Sequence, residues 1–163
     1  MKGDNDRDPI GDAFAQWQAP TEVDTSAPIP TPGGGQIRTR SEAQAVDIEC
    51  TDLTGATRWL SHAPVANAAS LAIDATSAYA ALYRTGATGA RLRALDLETG
   101  GTRWEVQLQG LGTIHHSKYA NRVRARVVDG TVIVYGDESA GRYMEERSAA
   151  DGHLLRRRLL DAG

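Results

Sequence analysis

Apolar and polar residues alternate with the period of β-strands in the second half of the chain. In the segment VRARVV, Val123, Ala125 and Val127 fall on one face of a strand, and Asp129-Gly130 after it suits a type I′ hairpin turn. The β-branched segment TVIVY then predicts a strand apolar enough to be buried on both faces. Two further strands, RYMEER and HLLRRRLL, are joined by a second Asp-Gly pair. Four consecutive strands of this kind are typical of one propeller blade.

The same pattern occurs more than once along the chain. Residues 71–108 align with residues 123–160 at a fixed offset of 52 without a gap. An earlier fragment aligns with the middle unit at an offset of 45, which places Gly55 on Gly100 and Trp59 on Trp104. A strand pattern that repeats every ~40–50 residues indicates a propeller or a related array.

The first unit is expected to be incomplete. The segments AVDIEC and TRWLSH supply its third and fourth strands, but its first strand would fall on SAPIPT, where Pro28 and Pro30 exclude an interior strand. The sequence therefore predicts an all-β fold, a partial β-propeller of about two and a half four-stranded antiparallel blades. Because propellers typically close with ~4–8 blades, we expect one blade face and one strand edge to be open.

The repeated segment Thr-Gly-x-Thr-Arg-Trp is interpreted as structural and not as catalytic. Its glycines, Gly55 and Gly100, with Gly152 at the aligned place in the last unit, suit tight turns between strands. Its tryptophans, Trp59 and Trp104, stand early in the fourth strand of their units. A repeat has only its neighbours to pack against, so we expect each indole to bridge the gap between blades.

The middle unit, ALDLETGGTRWEVQL, resembles the blade motif of the PQQ-like (pyrroloquinoline-quinone-type) β-propeller repeat. That motif joins a strand ending in Ala-Leu-Asp, here Ala94-Leu95-Asp96, to a Thr-Gly turn and to a Trp four residues after the Gly, here Trp104. The resemblance covers residues 46–160, is partial in the first unit, and is weak in the last unit, where Arg156 replaces the Trp.

The resemblance implies a fold more than an activity. Its family includes quinone-dependent alcohol dehydrogenases, which hold the quinone with an adjacent Cys pair and a calcium site, and non-enzymatic scaffolds such as the propeller lipoprotein of outer-membrane barrel assembly. Cys50 is the only cysteine of this chain, so the Cys pair is absent and no disulfide can form within the chain. We therefore expect no catalytic residue, no cofactor and no resident metal.

Composition changes near residue 45 and predicts two regions. Residues 1–45 form an acidic Pro/Gly-rich tail that is expected to be disordered, and residues 46–163 form the PQQ-like β domain. In the tail, Ile10, Phe14 and Trp17 share one face of a short predicted helix, which suits a docking peptide for a partner or for the protein's own body. A chance apolar cluster remains the alternative.

Charge and hydropathy narrow the possible partners and locations. The net charge is −3, and the tail carries it with 4 Lys/Arg against 7 Asp/Glu. This balance gives no electrostatic reason to expect nucleic acid, and no apolar stretch is long enough to predict a membrane span. The acidic start lacks a secretory signal, so the expected location is the cytoplasm as written, or the periplasm or exterior if an export signal was removed.

Two connections interrupt the repeat and carry the candidate binding residues. The segment GDESAGRY, within residues 136–143, brings together Asp137, Glu138, Arg142 and Tyr143. The crossover, residues 113–121, carries four more polar side chains: His115, His116, Tyr119 and Asn121. Either connection could be a rim-loop binding patch or an ordinary polar loop. Adjacent histidines in an extended chain point in opposite directions, so they make a poor metal chelate.

These observations favour a non-enzymatic protein-interaction or scaffold module, with the tail as tether or docking peptide. The expected partner is another protein, or a second copy bound through the open blade edge. The alternative is a ligand-binding or redox accessory domain that takes a quinone, sugar or cation at the rim loops 113–121 and 136–143.

Overall fold

The computed structural model describes residues 28–84, 89–110, 120–138 and 141–161. Within these ranges the protein is all-β, with three four-stranded antiparallel sheets. The first sheet contains β1 (Ile29–Pro30), β2 (Gln36–Ser41), β3 (Ala45–Thr51) and β4 (Thr57–Pro64). The middle sheet contains β5 (Ala68–Ile73), β6 (Ser77–Tyr83), β7 (Ala90–Asp96) and β8 (Thr102–Gln107). The last sheet contains β9 (Ala120–Val128), β10 (Thr131–Glu138), β11 (Gly141–Ser148) and β12 (Leu154–Asp161).

Each sheet is a meander in which strands adjacent in sequence are paired. The hairpins close with the predicted chemistry: Asp129 and Gly130 both have positive φ, 49° and 79°, as a type I′ turn requires. The sheets contact one another in chain order, the first with the middle and the middle with the last. The predicted fold class, an all-β partial β-propeller, is confirmed.

The first sheet is complete, and the expectation of a half unit is wrong. β2 pairs with β3 along its whole length, and β1 pairs Ile29 with Ile37 and Pro30 with Gln36. Proline is tolerated here because β1 is an edge strand of only two residues. The N–H group that proline lacks is therefore not needed for a hydrogen bond to a further strand. The first sheet therefore begins at Ile29, before the boundary expected at residue 45.

The ungapped alignment of the last two units needs one correction. Leu95 and Arg147, which are 52 residues apart, pair with Ala78 and Val132, which are 54 apart. The connection between the second and third strands is two residues shorter in the last sheet than in the middle sheet, where β6 ends at Tyr83. β10 and β11 consequently pair as far as Glu138 and Gly141.

Two apolar clusters hold the three sheets together. Between the first and middle sheets the largest members are Ile37, Ile48, Trp59, Leu82 and Leu95. Between the middle and last sheets they include Tyr79, Leu92, Val123, Val132 and Val134. Burial of such side chains contributes ~1.5–3 kcal/mol each, so these two layers are the main source of stability.

The strand TVIVY is fully buried on the side that faces the middle sheet and partly buried on the other, where Tyr135 is 7% exposed, so the predicted burial on both faces holds only in part. Val132 and Val134 are fully buried against the middle sheet, whereas Ile133 is only half-buried. No further sheet covers the other face of β10 within the described part of the chain. Within the described residues, the first and last sheets each have an outer face that no other sheet covers, and the side chains on those faces define the candidate surfaces.

Candidate interaction surface

Several of the predicted site residues lie outside the described ranges. This holds for the tail residues Ile10, Phe14 and Trp17, and for His115, His116 and Tyr119 of the crossover. Asn121 belongs to β9, although its side chain is not described. The docking and rim-loop roles suggested for these residues stay predictions.

The four candidates of GDESAGRY are strand residues and do not share a loop. Asp137 and Glu138 end β10, and Arg142 pairs with Asp137 from β11. Tyr143 is 1% exposed. A Cβ at Gly136 would overlap its ring, so the ring packs directly on the Gly136 backbone. Burial raises the pKa of the Tyr143 phenol, as do the charges of Glu138 and Glu145. Tyr143 is thus part of the core between the last two sheets, which removes it from any exposed rim patch.

Each tryptophan of the repeated motif spans the gap to the next sheet. Trp59 of the first sheet donates its indole N–H to the carbonyl of Leu97, 2.8 Å away in the β7–β8 turn. Trp104 of the middle sheet donates in the same way to Ala149, at 2.9 Å, in the β11–β12 turn. A Cβ at Gly100 would lie 2.5 Å from the Trp59 ring. The glycine is required for close approach of the ring as well as for its φ of 75°.

Buried charges between the sheets are fully paired. Arg93 of the middle sheet bonds Glu105 at 2.6 Å, and reaches across to the Ser61 hydroxyl and the His62 carbonyl of the first sheet at 2.9 and 3.0 Å. In the last sheet, Arg147 bonds the fully buried Glu145, whose second oxygen accepts from the Gly110 amide at 2.7 Å. These groups tie neighbouring sheets together and are not available to a ligand.

The outer face of the first sheet is polar. Glu49, which alternates with the core residues Ile48 and Cys50, accepts from Thr57 at 2.7 Å and from Arg38 and Arg40 at 2.6 and 3.1 Å. The bond from the Thr57 hydroxyl, followed by those from the two arginines, lowers the pKa of Glu49 to about 2. Asp47, which also alternates with Ile48, shares this face, so Arg38 and Arg40 lie on a side with two carboxylates.

The outer face of the last sheet is basic. It is the side of β9–β12 that lies opposite the core residues Val132 and Val134, and strand alternation and register assign six arginines to it. Arg124 bonds the Tyr83 hydroxyl of the middle sheet at 3.5 Å. The other five form what we call the basic face: Arg122, Arg126, Arg142, Arg156 and Arg158. Only two carboxylates, Asp137 and Glu146, share that side. Arg156, with about half of its side chain exposed, bonds Glu146 at 2.9 Å.

An apolar patch underlies the arginines of the basic face. Tyr135 and Met144 are paired across β10 and β11 at its centre, and both are buried. Burial raises the pKa of the Tyr135 phenol, with Arg126, Glu146 and Arg156 as the neighbouring charges. The arginines therefore lie over buried apolar side chains, and arginine is one of the residues enriched at protein–protein interfaces.

Sequence reasoning did not identify the basic face, although part of its signal was visible. Arg122, Arg124 and Arg126 alternate along the strand, which shows that they share one side. From the sequence, the run Arg156-Arg157-Arg158 suits first a charged edge that blocks further strand pairing, and secondarily an anion patch. In the structure the middle arginine turns inward and donates to the Gly110 carbonyl at 2.6 Å, so its two neighbours point outward.

The structure places the cysteine and the potential metal ligands of the described residues. Cys50 is fully buried in the layer between the first two sheets, where burial raises the pKa of its thiol. No group of three His, Cys, Asp or Glu side chains in the described part of the chain is placed to hold a metal ion. Across the same ranges, no helix has the length and apolar character needed to span a membrane.

Comparison with known proteins shows the fold without a close relative. Neither a protein family nor a curated protein sequence matches this chain. Among solved structures, BamB from Moraxella catarrhalis superposes with a TM-score of 0.54 at 20% identity, over 83% of this chain and 35% of that protein. Quinohemoprotein alcohol dehydrogenase ADHIIG from Pseudomonas putida HK5 gives a TM-score of 0.60 at 17% identity, over 81% and 20%. A europium-containing methanol dehydrogenase gives 0.56 at 16%, over 83% and 26%.

The chain thus spans about a third of BamB and a fifth to a quarter of the dehydrogenases. Identities this low show the fold alone, since one fold hosts both enzymes and other proteins. Three stacked four-stranded meanders, bridged by a repeated Trp-on-Gly contact, give this chain the fold of part of a PQQ-like β-propeller.

Proposed function

We propose that this protein is a non-enzymatic protein-interaction module that binds an acidic segment of a partner protein on its basic face. The observation that carries the proposal is that an arginine replaces the bridging tryptophan in the last sheet. Trp59 and Trp104 bridge the first two gaps, whereas the aligned place in the last sheet is held by Arg156, on a face with five arginines and two carboxylates.

The chemistry of this face supports an acidic protein segment as the partner. Arginine forks bond carboxylates in pairs and lie flat on aromatic rings, and Tyr135 lies among them. Arginine is also among the residues that most often dominate binding energy at interfaces. The outer face of the first sheet offers no comparable surplus, because Glu49 is bonded to both Arg38 and Arg40.

A capture experiment with the full chain tests the proposal. The wild-type protein, an Arg156→Gln/Arg158→Gln variant and an Arg84→Gln variant are immobilised, and proteins retained from a lysate of the source cells are identified and quantified. Arg84 is exposed directly after β6 of the middle sheet, is not one of the five arginines of the basic face, and is the matched control for losing a positive charge.

We expect an acidic protein that the wild type and Arg84→Gln variant retain equally, with retention reduced about tenfold by the double variant. The reduction reflects loss of two complementary charges, and raising the salt should weaken capture further. Equal retention by all three proteins would overturn the assignment of the basic face. Retention of nucleic acid in place of protein would overturn the partner class.

A further inference from the structure

The turns that join the third and fourth strands of the three sheets are related, although the first is one residue shorter. The Gly55 amide bonds the carbonyl of Asp52, three residues earlier, whereas the Gly100 amide bonds that of Asp96, four residues earlier. A glycine with positive φ ends each of them: Gly55 at 87°, Gly100 at 75° and Gly152 at 82°. In the first two turns an aspartate side chain, Asp52 or Asp96, accepts backbone N–H groups of the turn. The first turn thus keeps the capping aspartate and the positive-φ glycine of the second turn, one residue closer together.

Among the described residues, a tryptophan ring occupies two of the three turns, and no residue occupies the first. The Trp59 ring lies on Gly100 and the Trp104 ring lies on Gly152, each within 2.5 Å of where a Cβ would be. A Cβ at Gly55 would have no atom within 4 Å. Leu53 and Leu97 each follow the capping aspartate of their turn directly. The Leu53 side chain is nevertheless 79% exposed, whereas that of Leu97 is only 8% exposed. The first turn thus leaves an apolar side chain uncovered that is buried in the second turn.

We propose that Trp17, from the N-terminal segment of this same chain, occupies the first turn, with its indole on Gly55 and its N–H donated to the Leu53 carbonyl. The chain has three tryptophans, and Trp17 is the one that the two described contacts leave over. This inference is independent of the proposed function, because the first turn belongs to the opposite end of the stack from the basic face.

The spacing of the chain supports this occupant. Trp59 precedes the first strand of the next sheet, at Ala68, by 9 residues, and Trp104 precedes Ala120 by 16. Trp17 precedes Ile29 by 12 residues, between those two values. A linker of 12 residues can extend to ~40 Å, so the reach is ample. By sequence spacing, Trp17 therefore corresponds to the tryptophan that Trp59 and Trp104 supply from the fourth strand of the preceding sheet.

The neighbours of Trp17 are small enough for close approach. In an extended chain, Ala15 and Ala19 share its side, as Ser61 and Ala63 share the side of Trp59. Covering Leu53 and the indole together removes two large apolar groups from water, which favours docking over an unattached tail.

The test uses the full chain labelled with 5-fluorotryptophan, whose three fluorine resonances are assigned with a Trp17→Phe variant. The reference is a labelled peptide of residues 1–27. We expect the Trp17 resonance of the full chain to differ from that of the peptide, and a Gly55→Ala variant to move it to the peptide position. Gly130→Ala is the matched control, because Gly130 also has positive φ, 79°, and an open Cβ position, so it shares the backbone strain without any docked ring.

Each other outcome overturns the proposal. A Trp17 resonance at the peptide position in the wild type means that the segment does not dock. A displaced resonance that Gly55→Ala leaves unchanged means that Trp17 binds elsewhere. A displacement that disappears on dilution means that the tryptophan comes from a second copy.

Discussion

The Trp104 ring lies directly on Gly152, and its indole N–H bonds the Ala149 carbonyl of the same turn at 2.9 Å. A Cβ at Gly152 would lie 2.5 Å from the ring. One contact thus joins the outer strand of the middle sheet to a turn of the last sheet, and Trp59 on Gly100 makes the equivalent contact one sheet earlier. The stack depends on these two contacts as well as on its apolar layers.

Replacing Gly152 with alanine should therefore be more costly than replacing a turn glycine on which no ring lies. Gly152→Ala strains a backbone with φ of 82° and also displaces the Trp104 ring, which together should lower the free energy of unfolding by ~2–4 kcal/mol. Gly130→Ala introduces only the backbone strain, ~1–2 kcal/mol. Urea denaturation of both variants measures the difference. Equal losses would show that the ring contact adds nothing.

The two indole hydrogen bonds should contribute differently to the free energy of unfolding, because the two tryptophans are buried to different extents. Trp59 is 7% exposed, whereas Trp104 is half-buried. Trp59→Phe keeps a ring in the gap but leaves the Leu97 carbonyl without its donor, which should cost ~1–3 kcal/mol. Water can replace the donor more easily in Trp104→Phe, so its cost should be smaller. Thermal melting of the two variants checks the order, and a larger loss for Trp104→Phe would contradict it.

Glu49 should make stability depend on acid pH. Its folded pKa is about 2, below the usual 4.5, so the ionised form stabilises the fold above pH 4.5 and this contribution is lost as the pH falls from 4.5 towards 2. Glu49→Gln lacks that contribution at every pH. The difference in unfolding free energy between wild type and variant should be largest near neutrality and should shrink below pH 4.5.

Denaturant titrations at pH 7 and pH 3 measure this change, and Glu42→Gln, at an exposed position outside the sheet, serves as the control. The other carboxylates titrate in all of these proteins, so they cancel in the comparison. A difference between wild type and Glu49→Gln that stays constant from pH 7 to pH 3 would show that Thr57 and the two arginines do not hold Glu49 ionised.

The sequence predicted the features of this fold that depend on local chemistry. Asp129-Gly130 has the dihedral signs that a type I′ turn demands, and the residues after the Thr-Gly turns proved to be the tryptophans that bridge the sheets. Both follow from residue types a few positions apart. The proline rule, in contrast, was applied too strictly, because it did not consider that Pro30 could belong to an edge strand of two residues.

The candidate surfaces were harder to predict because they depend on contacts between sheets. The sequence predicts Tyr143 in an exposed loop. In the structure the hairpin is shorter, so Tyr143 belongs to β11 and its phenol is buried in the core. The basic face requires knowing which side of β9 is covered, and Val123 is on that covered side while Arg126 is not. Alternation shows which residues share a side, but the number and order of sheets decide which side meets solvent.

The binding of fluorescent poly-L-glutamate, followed by anisotropy at ~50 and ~300 mM salt, tests the central claim most directly. The protein has a net charge of −3, so overall charge opposes binding and only a local basic surface can produce it. The account predicts binding by the wild type and by Arg84→Gln that weakens with salt, and about tenfold weaker binding by Arg156→Gln/Arg158→Gln. Equal binding by all three proteins, or none by the wild type, would contradict the assignment of the basic face as the interaction surface.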